Sequence, residues 1–238
     1  NNKMRNFQVM YGFLPQDRYD KLKKEVDMNE EYKGKMMSGM RSHFDIVEQK
    51  IDTPELTSFI KDYCNNPKYW YKVIKDLHIK EIVDKGEEEF VKNFRLYMEP
   101  ESGIDSLPTL QFDKDGKIIG EEKKEEFFYS RVDVGYGLEG YGLENGGGGN
   151  HIDNHNRVIS SLLYFSDQSE FEGGEFEITN GDKSICQRLS VRENLCVISA
   201  QNKYGWHRVN PLTKLKNNKP RIGIYFALSR TVPFWKDR

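Results

Sequence analysis

Cysteine is scarce in this chain: Cys64, Cys186 and Cys196 are the only three in 238 residues. An odd, widely spaced set argues against a disulfide framework and suits free buried thiols in a reducing compartment. No apolar run approaches the ~18–20 residues that span a bilayer, and Asn1-Asn2-Lys3-Met4 has no apolar stretch of the kind that opens a signal peptide. The expectation is a cytoplasmic protein with no membrane partner. Positive charge in excess is also missing. Lys+Arg 36 against Asp+Glu 38 leaves a formal net charge of -2, so no global field gathers nucleic acid through its phosphates.

What is present suffices for a core. Hydrophobic residues make up 37% of the chain and aromatics 13%, too patterned for a disordered segment. The length fits one β-rich domain of ~200–250 residues with an appended helical part. Residues 1–93 read as mainly helical support. Tyr19, Leu22 and Val26 recur at helical spacing after Pro15-Gln16-Asp17, and Thr53-Pro54-Glu55 supplies a cap before Leu56, Phe59, Ile60 and Tyr63. A further helix is expected through Trp70, Val73, Ile74 and Leu77. From 94 to 238 the pattern changes to short β-branched and aromatic segments. Strands are expected at 94–99, 109–112, 127–134, 158–165, 174–178, 195–199 and 221–228, with turns such as Asp115-Gly116 and Asn180-Gly181. So many short strands predict a barrel or sandwich.

Glycine is concentrated between Gly135 and Gly149, where Tyr136 and Tyr141 interrupt it. Such a run cannot hold a regular strand. It is a lid beside a site or a long surface loop, and both readings stand. A phosphate cradle is excluded because no Lys-Ser/Thr follows and the required helix is missing.

Only five histidines occur, and two of them sit in His151-Ile152-Asp153-Asn154-His155. Residues two apart on a strand share a face, so His151 and Asp153 can present an imidazole and a carboxylate to one point. His207, in Gly205-Trp206-His207-Arg208, is the natural third ligand. Two imidazoles and a carboxylate on one face of a metal leave open positions on the other, the arrangement of non-haem iron(II) oxygenases. Structural zinc would want four ligands with cysteine among them. His155 reads as a rim or merely structural residue, and His43 and His78 have no ligand-like context.

The order of motifs resembles the prolyl 4-hydroxylase-like branch of the 2-oxoglutarate/Fe(II) dioxygenases over roughly 127–229. The resemblance runs through the strand 128–135, the H-x-D of His151-Ile152-Asp153 and the strand 157–166. It continues with Gly173-Gly174-Glu175-Phe176, the distal histidine in Trp206-His207-Arg208-Val209 and a last core strand from Arg221. It implies a mainly β fold with flanking helices, whose core is a double-stranded β-helix, a cupin-like jelly-roll. It also implies metal ligation by His151, Asp153 and His207, with Fe(II), 2-oxoglutarate and O₂ required and ascorbate as a further cofactor. Arg221 matches the basic residue that grips the far carboxylate of 2-oxoglutarate, and Tyr164 matches a co-substrate tyrosine. Arg221 follows His207 by 14 positions where about ten is usual. A polar insert containing Lys214, Lys216 and Lys219 accounts for the shift and offers rivals on spacing alone.

Arg131 and Asp133 share a strand face and either bind the primary substrate or pair with each other. Tyr136, Tyr141 and Trp206 are further candidates beside the site. The implied activity is hydroxylation of an unactivated C–H bond with release of succinate and CO₂. A prolyl residue in a peptide or protein is the first substrate class, and a free amino acid or other small molecule the second. The segment 99–126 is a candidate substrate-side wall. Three rivals are a catalytically silent metal-binding β-helix module, a nucleic-acid demethylase and a cupin-type iron enzyme that needs no Arg221. Fold alone does not choose among them.

Overall fold

The computed structural model describes residues 5–28, 35–37, 41–45, 54–98, 110–112, 114, 118–121, 125–142 and 149–236. Apolar spacing and capping set the helices. Tyr19, Leu22 and Val26 lie buried along one stripe of the helix Gln16–Met28. Pro54 opens the helix Pro54–Phe59, which runs into a π-helical turn Ile60–Cys64; Thr53, the expected cap, lies outside the described residues. Asn66 caps the helix Pro67–Asp76, accepting the Lys68 and Tyr69 amides, while Pro67 sits where a missing N–H leaves no partner wanting. Helices Lys80–Lys85 and Glu87–Asn93 follow.

The strands are β1 (Phe7–Tyr11), β2 (Lys35–Met37), β3 (Arg41–Asp45), β4 (Phe94–Met98), β5 (Leu110–Phe112), β6 (Ile118–Glu121), β7 (Phe128–Gly137), β8 (Arg157–Tyr164), β9 (Phe171–Glu172), β10 (Phe176–Thr179), β11 (Ile185–Leu189), β12 (Leu195–Ala200), β13 (His207–Val209), β14 (Lys214–Leu215) and β15 (Arg221–Arg230). The large sheet runs β1-β12-β8-β15-β7-β3-β2, with β4 parallel to β7. Separate from it are a three-stranded sheet, β11-β10-β13, and the two-stranded sheets β14-β9 and β5-β6. Packed sheets with helices to one side form the jelly-roll that the motif order implies.

Three expectations are corrected. β7 runs on through Gly135, Tyr136 and Gly137, the start of the glycine-rich stretch read as unable to hold a strand, because pairing with β15 on one side and β3 on the other fixes that backbone. Strands β1, β2 and β3 lie inside the stretch read as helical, because a strand of three to five residues is too short to show its own period and is recruited by its neighbour. β1, for example, pairs along its length with β12. Gly174 does not begin a strand: with φ +77 it turns the chain instead, and β10 starts at Phe176. Thr109, the glycines 146–148 and most of the candidate wall 99–126 lie outside the described residues.

Alternation on β7 and β15 divides the molecule. Val132, Val134 and Tyr136, with Ile222, Ile224 and Phe226, face the helices and join one apolar cluster with Phe59, Trp70 and Phe90. Phe226 meets Phe59 edge-on at 5.3 Å and Trp70 at 5.9 Å. The intervening residues Arg131, Asp133, Gly135 and Gly137, with Arg221, Gly223 and Tyr225, face a cavity between the sheets. Polar and glycine positions inside otherwise apolar strands are therefore the ones that build the site.

Candidate active site

His151 and His207 form a single antiparallel bridge, each amide donating to the other's carbonyl at 3.0 and 2.9 Å. Residues opposed in this way carry their side chains close together, and the two imidazole centroids are 4.4 Å apart. Asp153, two residues on, closes the group. Its Oδ1 lies 3.1 Å from His151 Nε2 and 3.5 Å from His207 Nε2. One ligand atom from each of the three falls within 4.8 Å of the others.

Each part is oriented from behind. His207 Nδ1 lies 2.8 Å from the Gly205 carbonyl, and His151 Nδ1 meets that of Gly149. A carbonyl can only accept, so both rings carry a proton on Nδ1 and turn Nε2 toward Asp153 Oδ1, where it hydrogen-bonds the carboxylate when protonated and is a metal ligand when not. Phe176 stacks on His207 at 5.5 Å. Asp153 Oδ2 accepts from Ser160 Oγ and, at 3.0 Å, from the Tyr225 hydroxyl, while the Asp153 amide donates to Gln201 Oε1 at 2.9 Å. Burial alone would raise the Asp153 pKa. The hydrogen bonds and charges of His151 and His207 outweigh it and hold the carboxyl well below its ordinary range. Burial likewise opposes charge on His151, but the Asp153 carboxylate and the Gly149 carbonyl leave its pKa raised. Two imidazoles and a carboxylate converging on one point could hold a divalent metal.

The cavity encloses about 390 Å³ and reaches from this cluster to Arg221. Arg221 is buried, donates from Nη1 to the Gly174 carbonyl at 2.5 Å and lies over the rings of Tyr141 and Tyr164 at 5.2 and 5.6 Å. The Tyr164 hydroxyl is buried with no hydrogen-bond partner among the described residues. Burial, opposed by the Arg221 charge, pushes its pKa up to about 12, so it keeps its proton. A buried donor without an acceptor is costly, and one beside a guanidinium fits a ligand that brings a carboxylate. Lys214, Lys216 and Lys219, the rivals on spacing, are exposed and line no part of this cavity.

Arg131 and Asp133 line the cavity as a buried pair, Nε to Oδ2 2.8 Å. Tyr141 lines it too, held by reciprocal bonds of the glycine-rich loop to the segment before β14: Gly140 N to Leu212 O at 2.6 Å and Leu212 N to Tyr141 O at 2.7 Å. Tyr136 does not reach it. Alternation turns Tyr136 toward the helices, where its hydroxyl donates to Val26 O at 3.3 Å. Trp206 is likewise absent from the lining, and its ring lies against Gly181 in the β10–β11 turn. His155 packs against Trp235 with the rings tilted and their centroids 4.3 Å apart, its Nδ1 on the Trp235 carbonyl. Three residues that sequence reasoning passed over, Ser160, Tyr225 and Arg157, complete the wall. Counting by twos back from Tyr164 and forward from Arg221 would have reached Ser160 and Tyr225.

Residues 136–227 match the family model of the 2OG-Fe(II) oxygenase superfamily, a stretch that contains His151, Asp153, Tyr164, His207 and Arg221. No curated protein matches the sequence. Among solved structures, the non-heme alpha ketoglutarate dependent epimerase of nogalamycin biosynthesis is similar in fold, with a TM-score of 0.52 at 7% identity over 94% of this chain and 76% of that one. A Pseudomonas putida prolyl-4-hydroxylase gives 0.49 at 13% identity over 94% and 92%. A Trichoplax adhaerens prolyl hydroxylase, solved with a hypoxia inducible factor peptide fragment, gives 0.48 at 13% over 94% and 84%.

Proposed function

We propose that this chain, whose core segment 136–227 is that of the 2OG-Fe(II) oxygenase superfamily, is a 2-oxoglutarate- and O₂-dependent hydroxylase of an unactivated C–H bond. The observation that carries the reading is one cavity lined both by the His151–Asp153–His207 cluster and by Arg221 beside a Tyr164 hydroxyl that has no hydrogen-bond partner among the described residues. Iron(II) held by the three ligands would supply the O₂ chemistry that converts 2-oxoglutarate to succinate and CO₂ while a C–H bond is oxidised.

The chain's own groups do the positioning. Ser160 and Tyr225 occupy Asp153 Oδ2 and leave Oδ1 to face the two imidazoles, so the carboxylate offers one oxygen and the other coordination positions stay open. Arg221 presents a planar fork, and Tyr164 a hydroxyl, to the far carboxylate of the co-substrate. Gly135, Gly137 and Gly223 leave the floor between them bare of side chains.

A prolyl residue of a peptide or protein is the first substrate class. A free amino acid or other small carboxylic acid is the second reading, favoured by the charged far end of the cavity. The three free cysteines suit a reducing, cytoplasmic setting, and no helix among the described residues is long and apolar enough to cross a membrane. Anaerobic titration of iron(II)-loaded protein with 2-oxoglutarate tests the assignment. A visible charge-transfer band is expected, lost in His151→Ala and His207→Ala and needing more co-substrate in Arg221→Ala. Metal binding with no band and no 2-oxoglutarate affinity would sink it. Succinate release, assayed with ascorbate present, separates an enzyme from a silent binding module.

A further inference from the structure

Asp153 sits on a segment with no strand of its own. His151 is fixed by its bridge to His207 and β8 begins at Arg157, but residues 152–154 carry no regular structure. Ser160 and Tyr225 set the rotation of the Asp153 side chain. The main chain beneath it has to be fixed by other means, since a ligand group held more than ~0.5 Å from its productive place no longer serves its site.

Those means come from the end of β15 and the residues after it. The Asp153 amide donates to Gln201 Oε1 at 2.9 Å, and the next three carbonyls turn to residues 230–235. Asn154 O accepts from Trp235 Nε1 at 3.0 Å, His155 O from the Phe234 and Trp235 amides at 2.7 and 3.3 Å, and Asn156 O from the Arg230 amide at 2.9 Å. Side chains answer in return. His155 Nδ1 donates to Trp235 O at 2.7 Å, and Asn156 Nδ2 to Arg230 O at 3.0 Å.

The clamp is itself anchored. Arg230 is buried and folds the chain after it back on itself: Nη2 donates to Pro233 O at 2.6 Å, and the guanidinium lies 5.2 Å from the centroid of the Phe234 ring. Its Nη1 donates to Glu81 Oε1, on the helix Lys80–Lys85, at 2.7 Å. Phe234 packs against the apolar cluster on the helix side, and Trp235 is buried. Residues 228–236 also lie beyond the stretch 136–227 that matches the oxygenase family model.

We propose that Trp235 and His155 are positioning residues for Asp153, the segment 230–235 clamping the H-x-D loop and so setting where the carboxylate meets the two imidazoles. The inference rests on the metal ligation of the oxygenase reading and extends it to residues that line no part of the cavity. Loss of an outer partner of a metal ligand costs ~10–100-fold in metal affinity. A clamp acting through the main chain belongs at the low end of that range.

Calorimetric titration with Mn(II) and the visible spectrum of the Co(II)-loaded protein, both without O₂, test it. Trp235→Phe keeps a ring and loses the N–H that holds Asn154 O; it is expected to weaken Mn(II) by about 10-fold and to change the Co(II) band intensities. His155→Ala is expected to do the same, and His155→Gln, which keeps a donor for Trp235 O, to recover part of the loss. Leu56→Ala opens a cavity in the core of the helix Pro54–Phe59 and lowers stability, yet is expected to keep wild-type Mn(II) affinity and Co(II) spectrum. Wild-type affinity and spectrum in Trp235→Phe and His155→Ala would overturn the inference, as would an equal loss in Leu56→Ala. Should His155→Ala not fold, Trp235→Phe decides alone. Wild-type protein that binds no Mn(II) would overturn both this inference and the oxygenase reading. Binding of Mn(II) without 2-oxoglutarate would remove the oxygenase reading alone, because neither readout needs the co-substrate.

Discussion

At the scale of the residue, the decisive arrangement is the division of labour between the two oxygens of Asp153. Oδ1 faces the imidazoles, and Oδ2 is tied by Ser160 and Tyr225. Burial, partly offset by the Arg157 charge, raises the Tyr225 pKa, so the hydroxyl stays a donor. Tyr225→Phe removes one tie and is expected to weaken Fe(II) or Mn(II) affinity by about 10-fold or more, as loss of outer hydrogen bonds to metal ligands does. Metal titration reads this; unchanged affinity would reduce the hydroxyl to packing. Tyr164→Phe acts at the other end. It is expected to weaken 2-oxoglutarate by a few-fold to ~10-fold while metal affinity holds, because its hydroxyl has no partner to lose among the described residues. The pair His151 and Asp153 was legible in the sequence as histidine and aspartate two apart, but the strand expected to align them is absent: His151 makes only an isolated bridge, and 152–154 carry no regular structure. Ser160, Tyr225 and Arg157 were not legible, because nothing local says which face of β8 or β15 meets the cavity.

At the scale of the element, the turn before β10 is set by backbone rather than side chains. Gly173 has φ +76, and a Cβ there would lie 1.8 Å from the Pro211 carbonyl oxygen. Gly173→Ala is expected to cost ~3 kcal/mol or more, from strain plus steric clash, measured by urea unfolding. Wild-type stability would mean that the 171–174 and 211–213 segments do not pack as described. The short 3₁₀ turn Gln168–Glu170 gives a pH signature. Asp167 accepts the Ser169 amide while Glu170 accepts the Asp167 amide, a reciprocal cap. The Ser169 amide, with Arg192 nearby, lowers the Asp167 pKa from its ordinary 3.8 despite partial burial. A folded pKa below the unfolded one means the cap stabilises above about pH 3.8 and is lost as pH falls through the folded value. Asp167→Asn, which keeps an acceptor, should lose less stability than the wild type on acidification below that point. Parallel acid unfolding curves for the two would refute the linkage. The helix from Pro54 could be read from its first-turn proline and the next from the spacing of Trp70, Val73, Ile74 and Leu77, whereas β1 to β3 take their conformation from neighbours far along the chain.

At the scale of the whole molecule, the proposed metal and co-substrate would bind groups brought together by folding, so their binding would add to fold stability. At a free concentration 100 times the Kd, each ligand adds ~2.7 kcal/mol. At ~2–4 °C per kcal/mol for a chain of this size, Mn(II) with 2-oxoglutarate is expected to raise Tm by roughly 10–20 °C over chelator-treated protein. His207→Ala should abolish the shift; a shift that survived in that variant would place the ligands elsewhere. The sequence by itself determined the class of architecture, the H-x-D pair, the distal histidine and the order of motifs, because alternation, turn chemistry and residue type are properties of neighbours along the chain. Tertiary structure alone decided that Tyr136 and Trp206 turn away from the cavity, that Arg221 rather than a loop lysine faces Tyr164, and that Arg157 and Tyr225 complete the far wall. Those outcomes depend on which strands pair and in what register, and pairing joins residues such as Tyr225, Asp133 and Leu162 across separations that no local pattern encodes.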